Sequence, residues 1–131
     1  MRKAIAYDGV TVPGAASLPS NPIQVSTAST KLFIDITYTK GAEDGVLFAL
    51  EWQDRGEATW ATVSDFGGAT SPGTNTILNF VDRLNTAGTN RYLIPVPQRL
   101  IAQGEYRLSI IVDGKVAPDG TVTAYLKTGE A

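Results

Sequence analysis

The chain contains neither cysteine nor histidine in its 131 residues. Without cysteine the fold has no disulfide bonds and no thiolate metal ligands, so its stability must come from packing or from assembly with other chains. Without histidine it lacks the usual general base near neutral pH, the commonest zinc ligand and any Ser-His or Cys-His pair. These absences argue against most enzyme classes, and we expect no catalytic site, no metal and no cofactor.

Concentrated charge of one sign is also missing. The 11 basic and 13 acidic side chains give a net charge of −2 and are spread along the chain without a run of either sign. Clustered Lys and Arg favour nucleic-acid binding, so no nucleic-acid partner is expected. The first residues include a basic pair, Arg2 and Lys3, with no long apolar run behind it. The sequence therefore predicts neither a signal peptide nor a membrane helix, and we expect synthesis in the cytoplasm and no membrane partner.

Helical periodicity is absent too, and short segments instead alternate between apolar and polar residues, which is typical of half-buried strands. The clearest segment is 31–39, in which one face carries Leu32, Ile34, Ile36 and Tyr38. Further strands are predicted at residues 46–53, 59–63, 76–81, 91–96, 106–112 and 121–127. The pattern indicates an all-β fold, an antiparallel β-sandwich or jelly-roll with about 7–9 strands. Because only residues 40–45 separate them, segments 31–39 and 46–53 are expected to pair as neighbours.

Residues 1–30 differ from the rest, with short strands predicted at 4–7 and 23–26 and prolines and small residues between them. One interpretation is an extended N-terminal arm at residues 1–30 that precedes a β-sandwich domain at residues 31–131. Such an arm could wrap its own domain or add a strand to a neighbour's sheet. The other interpretation is an ordinary first strand with a long surface connection. The arm interpretation predicts that deleting residues 1–20 abolishes partner binding and leaves the domain folded.

Several residues are candidates for contact with another protein chain. Phe33 is the one apolar residue on the otherwise polar face of segment 31–39, and an exposed apolar patch marks an interface. Pro95 and Pro97 each lack an N–H donor, so their strand should lie at a sheet edge, which could face a neighbour. The full set of candidate partner-binding residues is Ile5, Tyr7, Val10, Val12, Ile23, Val25, Phe33, Pro95 and Pro97.

Segment 52–63 resembles the Asp-box hairpin of sialidase-type propellers, in which an Asp, a Gly and a Thr-Trp pair surround a tight turn. This segment has one extra residue before its Thr-Trp pair and lacks the leading Ser. The resemblance implies a stabilised hairpin without a catalytic role. Alternation places Trp52 and Tyr106 on core faces. It leaves Trp60 and Tyr125 as candidate exposed aromatic residues, on which a glycan could stack.

Segments 106–112 and 119–127, interpreted as a closing hairpin, and the Trp60 hairpin before them resemble small virion proteins of tailed bacteriophages, particularly head decoration or cement proteins. The resemblance implies a non-enzymatic structural protein of the virion. Its expected partners are copies of itself, with a trimer favoured, and the major capsid protein or another virion protein. Two alternatives remain open. One is a carbohydrate-binding β-sandwich module of a host-recognition fibre, and the other is a tail or head-completion subunit that forms rings.

Overall fold

The computed structural model describes residues 2–14, 17–26, 29–54, 56–63, 84–111 and 117–130, with the backbone alone at 29, 30 and 130. The strands in these parts are β1 (Arg2–Thr11), β2 (Leu18–Pro19), β3 (Ile23–Val25), β4 (Ser29–Thr39), β5 (Leu47–Gln53), β6 (Ala61–Thr62), β7 (Thr89–Pro95), β8 (Gly104–Ile111) and β9 (Thr121–Glu130). A short 3₁₀ helix, Gln98–Leu100, follows β7. The strand predicted at residues 76–81 lies outside the described residues.

The strands form two antiparallel sheets. The first sheet has the order β1-β9-β4-β7, and the second has the order β2-β8-β5-β6, with β3 also paired to β8. This arrangement confirms the predicted antiparallel β-sandwich. Among the described strands, the one containing Pro95, β7, is the last strand of the first sheet, as the edge prediction expects.

The core lies between the two sheets. Its largest contributions from the first sheet are the alternate residues of β4 and β9, namely Leu32, Ile34, Ile36, Tyr38, Val122, Ala124 and Leu126. The second sheet supplies Phe48, Leu50, Leu108 and Ile110. Burying one Leu or Ile side chain is worth roughly 1.5–3 kcal/mol, so these rows fix which face of each strand points inward. The alternation expected for segment 31–39 is therefore present in β4.

Two expected pairings between consecutive strands are wrong. β4 does not pair with β5, because both edges of β4 are occupied by β9 and β7 in the first sheet. β8 and β9 do not form a closing hairpin, because β8 lies in the second sheet and β9 lies between β1 and β4 in the first. In both cases the connection crosses from one sheet to the other. Within the described residues, the expected hairpin of β5 and β6 is present, with Trp52 opposite Ala61.

The N-terminal residues belong to the sandwich itself. β1 is an edge strand of the first sheet along β9, whereas β2 and β3 both pair with β8 of the second sheet. The hydroxyl of Tyr7 donates to the carbonyl of Leu18 and accepts from the N–H of Ile110. This segment thus joins both sheets, and the description of residues 1–30 as an arm separate from a domain at 31–131 is corrected. The core is shared between the two parts.

Candidate protein-binding face

The outward side of the first sheet carries the best candidate site. Opposite the core rows, register brings residues from all four strands into one row, with Ile5 beside Tyr125, Tyr125 beside Asp35, and Asp35 beside Leu93. A parallel row places Phe33 between Lys127 and Pro95. We call this surface the outer face, and its described members include Lys3, Ile5, Lys31, Phe33, Asp35, Arg91, Leu93, Pro95, Tyr125 and Lys127.

Apolar side chains on the outer face remain in contact with water. Ile5 is 48% exposed and Leu93 is 63% exposed, and these are the exposed large hydrophobic residues in the described part of the chain. They lie on β1 and β7, the outermost of the described strands of the first sheet, at opposite ends of one row. Phe33 and Tyr125 lie between them and are partly buried. The result is an apolar band across the whole sheet, a feature that marks interaction sites.

A buried carboxylate lies at the centre of this band. Asp35 is 3% exposed, and its oxygens accept hydrogen bonds from Arg91 Nε at 2.9 Å, Arg91 Nη2 at 2.7 Å and Lys127 Nζ at 2.7 Å. The Arg91 hydrogen bond lowers the pKa of Asp35 well below its usual range. Burial acts in the opposite direction, and Lys127 lowers the pKa further. Asp35 therefore stays ionised, and its charge is compensated by two cations from the neighbouring strands.

Two of the cations on the outer face also reach toward solvent. The Arg91 side chain is 69% exposed, although two of its N–H groups bind Asp35. The Lys3 Nζ lies 4.8 Å from the centre of the Tyr125 ring, within the range of a cation–π contact. Neighbouring apolar and cationic groups are thus interleaved across the outer face.

The predicted partner-binding residues separate into two groups. Ile5, Phe33 and Pro95 lie on the outer face, and Pro97 is partly buried where it precedes the 3₁₀ helix. The others are packed inside the sandwich: the buried residues are Tyr7, Val12, Ile23 and Val25, and Val10 is partly buried against them. For these five the prediction is corrected, because their side chains pack in or against the core, four of them buried and Val10 in part.

Sequence reasoning missed Arg91 and Leu93, although a signal was present. Tyr92, Ile94 and Val96 alternate with them, and Ile94 and Val96 are buried in the core. Since side chains on a strand alternate between faces, this pattern places Leu93 outward on an edge strand. The same rule would have identified Leu93, in addition to Phe33, as an apolar residue that points away from the core.

The two candidate exposed aromatic residues lie on opposite sides of the sandwich. Tyr125 belongs to the outer face, whereas the Trp60 ring lies 4.2 Å beneath the guanidinium of Arg107, which in turn binds Glu51 of the second sheet at 2.8 Å. Both rings are partly buried. They therefore do not form a common flat platform.

A second carboxylate, Glu43, is 2% exposed and holds two loops together. It accepts hydrogen bonds from the Tyr38 hydroxyl and from the N–H groups of Gly41 (2.7 Å), Asp119 (3.1 Å) and Gly120 (2.9 Å). A side chain at Gly120 would overlap with this carboxylate. Burial raises the pKa of Glu43, but the hydrogen bonds outweigh it and lower the pKa to about 2. An anion held this firmly is suited to structure, since it has no proton to donate near neutral pH.

An apolar pocket of about 260 Å³ opens beside β6 and the 3₁₀ helix and is lined by Trp52, Ala61, Thr62, Val63, Leu100, Ala102 and Tyr106. Two of its polar groups already have partners: Trp52 Nε1 donates to Gln103 O at 3.2 Å, and the Tyr106 hydroxyl donates to Leu100 O at 2.8 Å. The described residues contain no group of three or more acidic side chains that could hold a metal ion. The described residues form no helix with the length and apolar character that a membrane span requires.

Comparison of the chain with protein-family models and with curated proteins found no match. Among solved structures it is similar to a chain of infectious bursal disease virus, Gt strain, with 15% identity and a TM-score of 0.45 over 98% of this chain and 31% of that chain. A chain from the Gx strain gives 13% identity and a TM-score of 0.45 over 98% of this chain and 32% of that one. The chain thus spans about a third of the length of these viral chains. Similarity at this level assigns neither a family nor a function.

Proposed function

We propose that the chain is a non-enzymatic structural protein of a virion that binds neighbouring protein chains through the outer face. The observation that carries the proposal is the exposure of Ile5 and Leu93 at the two ends of a row that crosses all four strands of the first sheet. Apolar surface gains about 25 cal/mol for each Å² removed from water, so covering this band with another chain stabilises the complex. Pro95, at the end of the β7 edge, limits indiscriminate strand pairing there.

Support for a non-enzymatic role comes from the two buried carboxylates. The pKa values of Asp35 and Glu43 are both shifted, but the shift is downward. Hydrogen bonds from other parts of the fold keep both carboxylates ionised. Catalytic acids and bases need a pKa near the working pH, and neither carboxylate meets that condition. Their role is to fix strands and loops.

Within the virion, we place the chain as a head decoration or cement-like protein of a tailed bacteriophage that binds the major capsid protein as a homo-oligomer, with a trimer favoured. A partner that is another protein agrees with the mixed apolar and charged character of the outer face. Strands β8 and β9 do not form a hairpin. The sequence resemblance to these proteins therefore rests on the Trp60 hairpin and on the residue pattern of β8 and β9. A tail or head-completion subunit would use the same face and differ in forming rings.

A carbohydrate-binding module is less well supported. Stacking on sugar rings requires aromatic side chains on one accessible surface. Tyr125 lies on the first sheet under Lys3, whereas Trp60 lies under Arg107 of the second sheet. Quenching of tryptophan fluorescence by glycans would favour this alternative.

The test replaces the two exposed apolar residues without changing charge. Native mass spectrometry should find the wild-type chain as an oligomer, and the chain should sediment with phage heads from the strain that encodes it. The double variant Ile5→Ser/Leu93→Ser should keep its circular dichroism spectrum, become monomeric and stay in the supernatant. The matched control Ala87→Ser/Ala102→Ser, at exposed sites away from the outer face, should behave as wild type. A folded double variant that still assembles and sediments would contradict the proposal.

A further inference from the structure

The outer face carries an excess of positive charge although the whole chain has a net charge of −2. Its cations are Lys3, Lys31, Arg91 and Lys127, and Asp35 is the carboxylate that register places among them. Asp8, in the bulged part of β1, adds at most one more carboxylate near the rim. Among the described side chains, four cations against two carboxylates leave the face positive, and Asp35 is buried beneath two of those cations.

We infer that the surface which binds the outer face is a protein surface that bears Asp or Glu carboxylates beside apolar side chains. This inference rests on the proposed function and specifies the chemistry of the partner. Complementary potentials across an interface speed association and exclude wrong partners, so a positive apolar face selects a negative apolar one. If the partner surface carried cations instead of carboxylates, those cations would face Arg91 and Lys3, which have the same sign of charge.

Arg91 is already positioned for such a contact. Its Nε and Nη2 bind the buried Asp35 carboxylate, which fixes the guanidinium plane at the surface. An arginine has five N–H donors, so three remain, and the side chain is 69% exposed. A partner carboxylate can bind the free edge of this fixed group with little further loss of side-chain freedom. Leu93, two residues away on the same face of β7, supplies the apolar contact next to it.

Lys3 supplies the second contact. It is exposed on β1 and its ammonium lies over the ring of Tyr125, one position along the row from Ile5. A cation–π contact of this kind at an exposed site is weak, roughly 0.5–1 kcal/mol, so the ammonium can turn toward a partner carboxylate at small cost. The cations therefore flank the apolar band at both edges of the sheet.

The spacing of these groups favours protein over other anionic partners. Nucleic acid is bound by tracks of Lys and Arg that follow the phosphates. Here Ile5, Phe33 and Leu93 interrupt the cations, and apolar side chains gain little against a phosphate backbone. Binding to nucleic acid and binding to an anionic membrane are the competing possibilities, and the experiment tests both.

The experiment follows backbone amide signals of the isotopically labelled chain by NMR as probes are added. The probes are a short peptide of alternating Leu and Glu, its counterpart of alternating Leu and Lys, a single-stranded DNA oligomer and vesicles with anionic lipid. The Leu-Glu peptide should shift signals of Lys3, Arg91 and Leu93, bind at least about tenfold more tightly than the Leu-Lys peptide, and weaken as salt is added. Equal binding of the two peptides, a footprint elsewhere, or stronger binding of DNA or vesicles would overturn the inference.

A matched pair of variants separates this inference from the proposed function. Lys3→Glu reverses a charge on the outer face, and Arg2→Glu makes the same change in net charge one residue earlier, on the other side of β1. Only Lys3→Glu should weaken binding of the Leu-Glu peptide. If Ile5→Ser/Leu93→Ser abolishes assembly while Lys3→Glu leaves assembly and peptide binding unchanged, the proposed function stands and the acidic partner is wrong. If the serine variant also assembles, both are wrong.

Discussion

At the scale of single residues, two buried carboxylates connect parts of the chain that are far apart in sequence. Asp35 holds Arg91 and Lys127, which are 56 and 92 residues away. Glu43 holds the N–H groups of Asp119 and Gly120, which belong to the loop that leads into β9. Neither acid is free to titrate near neutral pH. The surface charge of the outer face therefore depends on its cations, and the loops that cross between the sheets depend on Glu43.

Replacing Glu43 by Gln should destabilise the fold strongly. The amide has one acceptor oxygen where the carboxylate has two, and its NH₂ group would face donors that the carboxylate now satisfies. Leaving buried donors unsatisfied at a charged site costs about 2–4 kcal/mol. Urea denaturation should show this loss for Glu43→Gln, whereas Glu57→Gln, at an exposed turn position, should change stability by less than about 0.5 kcal/mol.

Acid titration provides the second measurement for the same residue. The unfolded carboxyl takes up a proton near pH 4.5, and the folded one does so only near pH 2. Between these values the unfolded chain binds more protons, so stability falls as pH falls through this window. The pKa difference corresponds to about 3 kcal/mol, and the lowered pKa of Asp35 adds to the loss in the same direction. Glu43→Gln should lose part of this acid sensitivity; an unchanged slope would show that Glu43 is not its source.

At the scale of elements, β1, β2 and β3 make the N-terminal residues part of the two sheets. β1 has seven registered pairs with β9, and its side chains Ala6 and Tyr7 are buried at 3% exposure. Tyr7 further reaches β2 and β8 through its hydroxyl, and burial raises the pKa of that hydroxyl. Edge strands that carry core residues are structural parts of a sandwich, so the binding site that we propose is the outer face and not a free arm.

Deletion of residues 1–20 should therefore unfold the chain. It removes β1 and β2 and exposes the core rows of β9 and β8 that they cover. Removing buried Tyr7 alone costs about 3–5 kcal/mol, and a domain of this size has only about 5–15 kcal/mol in total. Circular dichroism and thermal melting of the truncated chain should show loss of the cooperative transition. A truncated chain that melts like wild type would restore the free-arm interpretation.

The strands themselves were largely predictable, because alternation is a local property and burial on one face fixes the register. Segment 31–39 is an example, since its four inward residues are all in the core. Pairing order was not predictable in the same way: adjacency favoured β4 with β5, but contacts with β9 and β7, far along the chain, occupy both edges of β4. The residues of the outer face divide in the same way, into those that the local pattern predicts and those that depend on strand pairing. Phe33 and Pro95 could be found from local pattern, whereas the burial of Asp35 depends on two cations that only the folded sheet brings together.

At the scale of the whole molecule, these features describe a surface that is formed before any partner binds. The first sheet is closed on its inward side by the second sheet and is held at its β1 edge by contacts that continue into β2 and β8. A preformed surface loses little conformational freedom on binding, which favours affinity for a given contact area. An arm that folds only on its partner would have the opposite signature.

Hydrogen exchange of the free chain distinguishes the two cases. In a preformed sandwich, β1 amides that bond to β9 exchange only when the edge strand opens, and opening exposes the buried side chains of Tyr7 and Val12 to water. We therefore expect those amides to be protected at least about a hundredfold over an unstructured peptide, although less than the amides of central strand β4. The exposed residues Thr86 and Ala87 of the loop before β7 serve as the internal reference for fast exchange. Unprotected β1 amides in the free chain, becoming protected only when virion particles are added, would mean that the N-terminus folds on its partner and that the binding surface extends beyond the outer face.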